Sequence, residues 1–540
     1  VIGALTRKAR QLRDDPVLRA WLVGRLLGRW PGEPSFTAHR PPYLDGLLPL
    51  APEAPTVSFP ECQPGAPASP IVLDLPGERI TLEPGEAASL FERPHADLEK
   101  ELAVHRFAWL DEDTDPAWTI VLWRAWRDRF GSDLTGWPWH PYTAAERAVA
   151  LLAFFRRHGL PDRESLDLLA IHGPAIAGRL EYFGDHHTSN HLFNNGRGLY
   201  LLGLGLGLPR CTETGTRILV EETKRVFLPS GVLREGSSHY HILLARRLDE
   251  VARAARGRPE ADFLAEAARK AWSVVPHLRL PGGVPLVGDI SPDMPPARLF
   301  RDLPEEAPCD PAALAADGWL RADFGPWSGL WHASPDGWSP MPGHGHQDLG
   351  SFELHFEDEA VFVDPGRGAY GETGEAARYR SATVHNTLTL DGQDPYPPNR
   401  PYYAPEFRRR IAGPAPELVR TADGVSLRHF GFTRLNGAGS LNRRWHFHDK
   451  GFSLIDAVDG RGARLIRRTL ATPLAVEGTG EAVILKGKRM TLRLSAPGSS
   501  WKAEPITRWT AYGEGRSATL LVTEARVSLP WPGKIILEVL

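Results

Sequence analysis

Ser351-Phe-Glu-Leu-His-Phe356 runs through Glu357-Asp-Glu359 into Ala360-Val-Phe-Val-Asp364. The first segment alternates apolar and polar residues, the second is a turn, and the third returns as an apolar run. A period of two marks a β-strand, so the stretch reads as a β-hairpin. The same pattern continues downstream. Thr387-Leu-Thr-Leu390 ends on the turn signal Asp391-Gly392, and Trp445–Ile455, Thr491–Leu494 and Ile535–Leu540 read as further strand. Upstream the period changes. From about Ala96 to Pro276, apolar residues such as Leu98, Leu102, Val104 and Phe107, then Ile120, Leu122, Trp123 and Trp126, recur mostly at three- and four-residue steps. Thr143-Ala-Ala-Glu146 has the form of a capping box before an apolar run. Helices joined by short Pro/Gly loops suggest helical hairpins.

A run of helices followed by a run of strands predicts an α+β chain of separate domains. We place them at residues 96–315 (helical) and 316–540 (antiparallel β), with a composition shift over Pro304–Asp323 between them. Residues 1–95 form a mixed segment leading into the helical part. It holds two expected helices, Leu5–Arg13 and Val17–Leu27, and a Pro-rich run from Pro52 to Pro70.

At 540 residues the chain has room for two or three domains and sizeable cores. With 63 Lys and Arg against 66 Asp and Glu, the net charge of -3 argues against wholesale electrostatic binding of nucleic acid. Any acidic ligand must meet a local patch. No run reaches the roughly 18 apolar residues of a membrane span. The N-terminal residues lack the apolar core of a secretory signal, so the chain is cytoplasmic on its face, and periplasmic or secreted if a leader was trimmed before Val1. Cys62, Cys211 and Cys309 lie too far apart in sequence for a disulfide scaffold or a CxxC zinc site.

Three polar clusters stand out. In Asp185-His-His-Thr-Ser-Asn-His191-Leu-Phe-Asn-Asn-Gly-Arg197, helical spacing puts His187, Asn190, Asn194 and Arg197 on one face, either an anion-recognition stripe or a solvated face. In Arg234-Glu-Gly-Ser-Ser-His-Tyr240-His241, Ser237 reads as an N-cap. Tyr240 then sits in the first turn, where the helix dipole favours a phenolate. A Tyr between two His is a candidate acid/base, or simply a packed Tyr. The third cluster joins His344-Gly-His346-Gln-Asp348, Asp364 at the end of the return strand, and His385-Asn386. On a strand the two His of the HxH would share a face, and His and Asp donors of this kind suit Zn²⁺.

Together these motifs resemble the heparinase II/III family of polysaccharide lyases. The carrying residues are Ser189-Asn190-His191, Arg234-Glu235 with Tyr240-His241, Gly343-His344-Gly345-His346 with Asp348, Val363-Asp364-Pro365-Gly366, and Arg380-Ser-Ala-Thr-Val-His385-Asn386-Thr387. The resemblance implies an incomplete (α/α) toroid followed by an antiparallel β-sandwich, with an active site in the cleft between them. It also implies β-elimination at uronic acid residues of an acidic polysaccharide. Carried over by position, Asn190, with His191 beside it, would neutralise the uronate carboxylate, and Tyr240 and His344 would serve as acid and base. His346, Asp364 and His385 would hold one structural Zn²⁺ per chain, while Asn194, Arg197, Arg234 and Tyr370 would contact substrate. Some family members carry a carboxylate near the position of Asn194, so hexosamine contacts would differ here.

The chemistry suits these residue types. Removing H5 from a uronate builds charge beside a carboxylate, which must first be neutralised by donors. A base then takes H5 and an acid protonates the leaving O4. Two alternatives stay open on the residues alone: a zinc hydrolase using His346, Asp364 and His385 to activate water, and a polysaccharide-binding or assembly protein without turnover. Trp123 and Trp126 read as core, whereas Trp137 and Trp139, beside His140 and Tyr142, are candidate cleft residues. Arg408–Arg410 and Arg443-Arg444 could guide a polyanion but read first as solvated strand faces.

Overall fold

The computed structural model describes residues 16–30, 38–63, 65–95, 97–185, 188–333, 344–397, 403–448 and 450–540. The helix expected at Leu5–Arg13, and His187 of the first cluster, lie outside them. The apolar periodicity of the first half folds as α1 (Pro16–Leu26), α2 (Leu98–Arg106), α3 (Pro116–Phe130), α4 (Pro141–His158), α5 (Arg163–Ala177), α6 (Asn190–Leu206), α7 (Pro209–Val226), α8 (Ser238–Ala254) and α9 (Ala261–Val274). A small hairpin, β1 (Ile71–Leu75) with β2 (Glu78–Leu82), precedes α2. Side chains cap several helix starts and satisfy first-turn N–H groups: Asp97, Asp115, Asp162, Ser189 and Ser237 all do so. Thr143 does not cap α4. That helix starts earlier, with Pro141 at its first position and His140 as N-cap, because a proline there sacrifices no hydrogen bond.

Helix α6 is the hub of this half, packing against α4, α5, α7 and α8. Its glycines make that possible. A Cβ on Gly198 would stand 2.6 Å from the Ala145 Cβ, and one on Gly203 would stand 2.5 Å from the Thr212 backbone nitrogen. Backbones at such distances leave no room for solvent, so Asn190, Asn194, Asn195 and Arg197 are all buried. The reading of this stripe as a solvated face is therefore corrected.

The second half is antiparallel β-structure. A four-stranded sheet runs β3 (Trp319–Phe324), β4 (Trp327–His332), β5 (Phe352–Phe356), β6 (Glu359–Phe362). The hairpin expected from the sequence is β5–β6, turning at Glu357 with φ 50°. A ten-stranded sheet contains β7 (Leu388–Leu390), β8 (Glu417–Arg420), β9 (Gly424–His429), β10 (Ala438–His448), β11 (Gly451–Thr472), β12 (Ala475–Glu477), β13 (Ala482–Lys486), β14 (Thr491–Ser495), β15 (Lys502–Ala511) and β16 (Glu514–Val539). Trp445–Ile455 is thus two paired strands rather than one, because the polar turn near Lys450 interrupts it. One apolar core holds Trp327, Trp331, Phe352 and Leu354 of the smaller sheet together with Trp445, Phe452, Leu521 and Ile535 of the larger. The two sheets therefore face each other as a sandwich. Val17 and Trp21 of α1 join that core, whereas Leu73 and Ile80 of the β1–β2 hairpin join the helical one.

Two side chains weld the sandwich beneath the site. The Asn386 amide donates to Phe352 O at 2.6 Å and Val363 O at 3.0 Å, and its oxygen accepts from Ala471 N at 2.6 Å. Arg443 is buried, so its reading as part of a solvated face is corrected. It pairs with Asp456 at 2.7 Å and donates to Gly350 O and Asn386 O. Arg408–Arg410 lies on the helix Pro405–Ala412, not on a strand. Across the halves, the Tyr512 hydroxyl reaches the Asp97 carboxylate at 3.0 Å.

Candidate active site

Two loops meet the N-terminal ends of α6 and α8. One carries Asp289; the other carries His344 and His346 and is not a strand. The two imidazoles nevertheless converge on one carboxylate. His344 Nδ1 lies 3.1 Å from Asp289 Oδ2, and His346 Nε2 lies 2.8 Å from Asp289 Oδ1. Arg367 Nη1 donates to the same carboxylate at 3.0 and 3.3 Å. Burial opposes ionisation of Asp289, but hydrogen bonds from the two His and the charges of His346 and Arg367 outweigh it. Its carboxyl is held well below the usual carboxylate range.

The Tyr240 ring stacks on the His344 ring, with centroids 3.9 Å apart and planes at 26°. The Tyr240 hydroxyl meets the Tyr370 hydroxyl at 2.6 Å, and Tyr370 in turn donates to Ile290 O at 3.2 Å. Ser237 caps α8 by accepting from the Tyr240 N–H, as expected from the sequence. The dipole argument for a phenolate is corrected, however: burial drives the Tyr240 hydroxyl well above the ordinary phenol range and keeps it protonated. The flanking His are not its partners. His239 Nδ1 accepts from Ser291 N, and His241 lies between Leu233 N and Ala271 O. Burial pushes the two down to about 3 and about 4, which keeps them neutral.

Asn190 begins α6 facing Glu235. Its backbone N–H and its side-chain amide donate to the two Glu235 oxygens at 2.7 and 2.8 Å. One amide hydrogen remains, and the amide oxygen is buried without a partner. His344 Nε2 comes within 3.6 Å of Glu235 Oε2, so Asn190, Glu235, His344, Tyr240 and Tyr370 form one continuous group. His191, the residue after Asn190, sets its Nδ1 2.7 Å from Glu181 Oε1 and feels the charge of Glu235. A groove of about 790 Å³ beside this pair is lined by His39, Arg40, Trp137, His140, Arg179 and Glu181. Trp137 is 44% exposed there, whereas Trp139 is fully buried and belongs to the core with Trp123 and Trp126.

Other candidates fall outside this group. Arg197 is buried among Glu146 at 2.9 Å, Glu250 at 2.7 Å and the Asn194 oxygen at 3.2 Å. Arg234 donates to Thr188 O and Asp185 O, clamping the loop before α6. Sequence reasoning gave no role to Glu235, Asp289 or Arg367. For Asp289 there was a signal: a single acid inside the apolar run Leu286-Val-Gly-Asp-Ile290, where burial demands partners.

His346, Asp364 and His385 are buried, with donor atoms all within 4.8 Å of one another, a group that could hold a metal ion. The chemistry of the donors fits. His346 Nε2 is used by Asp289, leaving Nδ1 buried without a hydrogen-bond partner. His385 Nε2 donates to Tyr379 O at 3.0 Å, turning Nδ1 toward Asp364 Oδ2 at 3.0 Å. Burial alone would lower His385, but the Asp364 charge overcomes this and raises it to about 9.

Residues 307–531 match the family described as Heparinase II/III-like, C-terminal. The chain carries a heparinase II/III-like C-terminal domain. The His346, Asp364 and His385 donors, and the His344 imidazole, all lie within this heparinase-like domain, while Asn190 and Tyr240 come from the helical half. No curated protein matches the chain in sequence. Among solved structures, a heparinase III shares 18% identity at a TM-score of 0.62, over 83% of this chain and 78% of its own. The heparan sulfate lyase HepC of Pedobacter heparinus shares 16% at 0.52, over 85% and 79%. A further heparinase III, the BT4657 gene product, shares 16% at 0.56, over 84% and 81%. These likenesses fix the fold: an incomplete (α/α) toroid followed by an antiparallel β-sandwich. Among the described residues, no helix is long and apolar enough to cross a membrane.

Proposed function

We propose that the chain is a polysaccharide lyase that cleaves a uronic-acid-containing acidic polysaccharide by β-elimination. The observation that carries the reading is the Tyr240–His344 stack beside Asn190, at the seam of a fold shared with a heparinase III. Asn190, oriented by Glu235, has one amide hydrogen left to offer a uronate carboxylate. His344, whose Nδ1 is committed to Asp289, has Nε2 left to take H5. Tyr240, kept as a neutral phenol by burial, is suited to give its proton to the leaving O4. Tyr370, bonded to that phenol, holds it in place between turnovers.

We further infer that His346, Asp364 and His385 hold one zinc ion. A bound Zn²⁺ would supply positive charge that fixes the 344–346 loop against β6 and β7; none of the proton transfers needs it. The burial of all three donors supports a structural ion over one that activates water, and so favours the lyase over the hydrolase. The test is a panel of uronate polysaccharides, including heparan sulfate, followed by ultraviolet absorbance of an unsaturated uronyl product. Reducing ends appearing without that absorbance would establish hydrolysis instead.

A further inference from the structure

Asp289 stands where the expected base and the metal group meet, and its placement is enforced by backbone packing. Gly288 adopts φ +75°, and a Cβ there would come within 2.6 Å of Gly236 O, so the loop lies directly on the turn that starts α8. Ser237 Oγ donates to Asp289 O at 2.7 Å, and Ser238 N donates to Val287 O at 3.1 Å. The Asp289 backbone N–H also donates to His344 O at 3.3 Å. The carboxylate is thus tied both to the helix that carries Tyr240 and to the HxH loop.

An ionised carboxylate only accepts hydrogen bonds. His344 must therefore present Nδ1–H to Oδ2, and His346 must present Nε2–H to Oδ1. Each neutral imidazole has one hydrogen, so the lone pairs fall on the opposite atoms. On His344 that atom is Nε2, on the side of Glu235 and Asn190. On His346 it is Nδ1, a buried atom without a hydrogen-bond partner, which leaves it as the nitrogen this ring can offer to the metal group. Arg367 bridges both carboxylate oxygens and donates onward to Gly371 O and Ala376 O, which prevents the carboxylate from turning to favour one imidazole.

We propose that Asp289 is a positioning residue that sets the tautomers of His344 and His346 together, so that one carboxylate prepares both the base and the metal ligand. For the base this rests on the lyase reading; for the metal ligand it rests on the donor set alone.

The test is Asp289→Asn in the full chain. The amide keeps the shape but has one accepting oxygen, so one imidazole must lose its bond or change tautomer. Zinc affinity, measured by competition with a chelator, should fall about 10- to 100-fold. At saturating zinc, kcat should fall about tenfold or more with KM nearly unchanged. A lower melting temperature with zinc affinity and kcat unaltered would show a merely structural acid and overturn the proposal. A second measurement does not require the variant to fold. In zinc-free wild type labelled with ¹⁵N-histidine, resonances assigned through His344→Gln and His346→Gln should show the Nδ1–H form for His344 and the Nε2–H form for His346. The same tautomer at both would overturn it. If the wild type released no unsaturated product from any uronate, the lyase reading would fall, while zinc affinity and the two tautomers would still decide the role of Asp289.

Discussion

Tyr240→Phe separates the lyase chemistry from the stability of the site. The substitution removes a single hydroxyl, which meets the Tyr370 hydroxyl at 2.6 Å and also interacts with the Ser291 side chain. Loss of the bond to Tyr370 costs about 1 kcal/mol of stability, because Tyr370 still donates to Ile290 O and is not orphaned. The ring keeps its stack on His344, so substrate shape and the position of the base should be preserved. If the phenol is the acid, turnover should nevertheless fall about 10²–10⁴-fold, which corresponds to about 2.7–5.4 kcal/mol of transition-state stabilisation. The expected kinetic loss is several times the expected loss of stability, and that excess is the signature of chemistry. The assay is initial-rate formation of the unsaturated product on the polysaccharide that the panel identifies, with the melting temperature measured in parallel. A variant that retained most of its turnover would refute the assignment of Tyr240 as acid. A drop in rate no larger than the stability change implies would refute it equally.

Asn190→Ala should lose roughly 10²–10³-fold in turnover, since one donor to the developing charge is gone. Combined with Tyr240→Phe the losses should be less than multiplicative, which a double-mutant cycle on kcat/KM would reveal. His346→Ala should abolish stoichiometric zinc in metal analysis and lower the melting temperature, because the buried Asp364 and His385 lose a partner. Trp137→Ala should raise KM severalfold with kcat nearly unchanged if the indole stacks on sugar; an unchanged KM would take the groove out of the binding path. The His191–Glu181 pair should give a pH-dependent contribution to stability. Burial opposes charge on both, yet their mutual attraction lowers Glu181 from 4.5 and raises His191 from 6.5. The Glu181 part is present above pH 4.5 and is lost as pH falls through its lowered value. The His191 part is present below pH 6.5 and is lost as pH rises through its raised value. The melting-temperature gap between wild type and Glu181→Gln should therefore be widest between those two values and narrow on either side.

What was legible in the sequence was whatever periodicity and chemical type could carry. The switch from a helical to a two-residue period located the two halves, and the HxH, Asp364 and His385 pattern pointed to the buried donor group. What stayed hidden depended on which side chains meet across the fold. Arg197 looked like a substrate cation because spacing placed it on the Asn190 face, yet its guanidinium is spent on Glu146 and Glu250, acids from two other helices. Asp289 carries no motif, and its role exists only because Gly288 lets its loop lie on the start of α8. The two cases share a cause. A buried charge must find partners, and those partners are distant in sequence: Arg197 found them inside the helical half, and Asp289 found them across the seam. Only the second meeting can transmit the geometry of the sandwich to the helices. A site assembled at such a seam depends on both halves docking correctly, so residues that fix the docking, such as Asp289 and the Tyr512–Asp97 contact, should affect turnover without touching substrate.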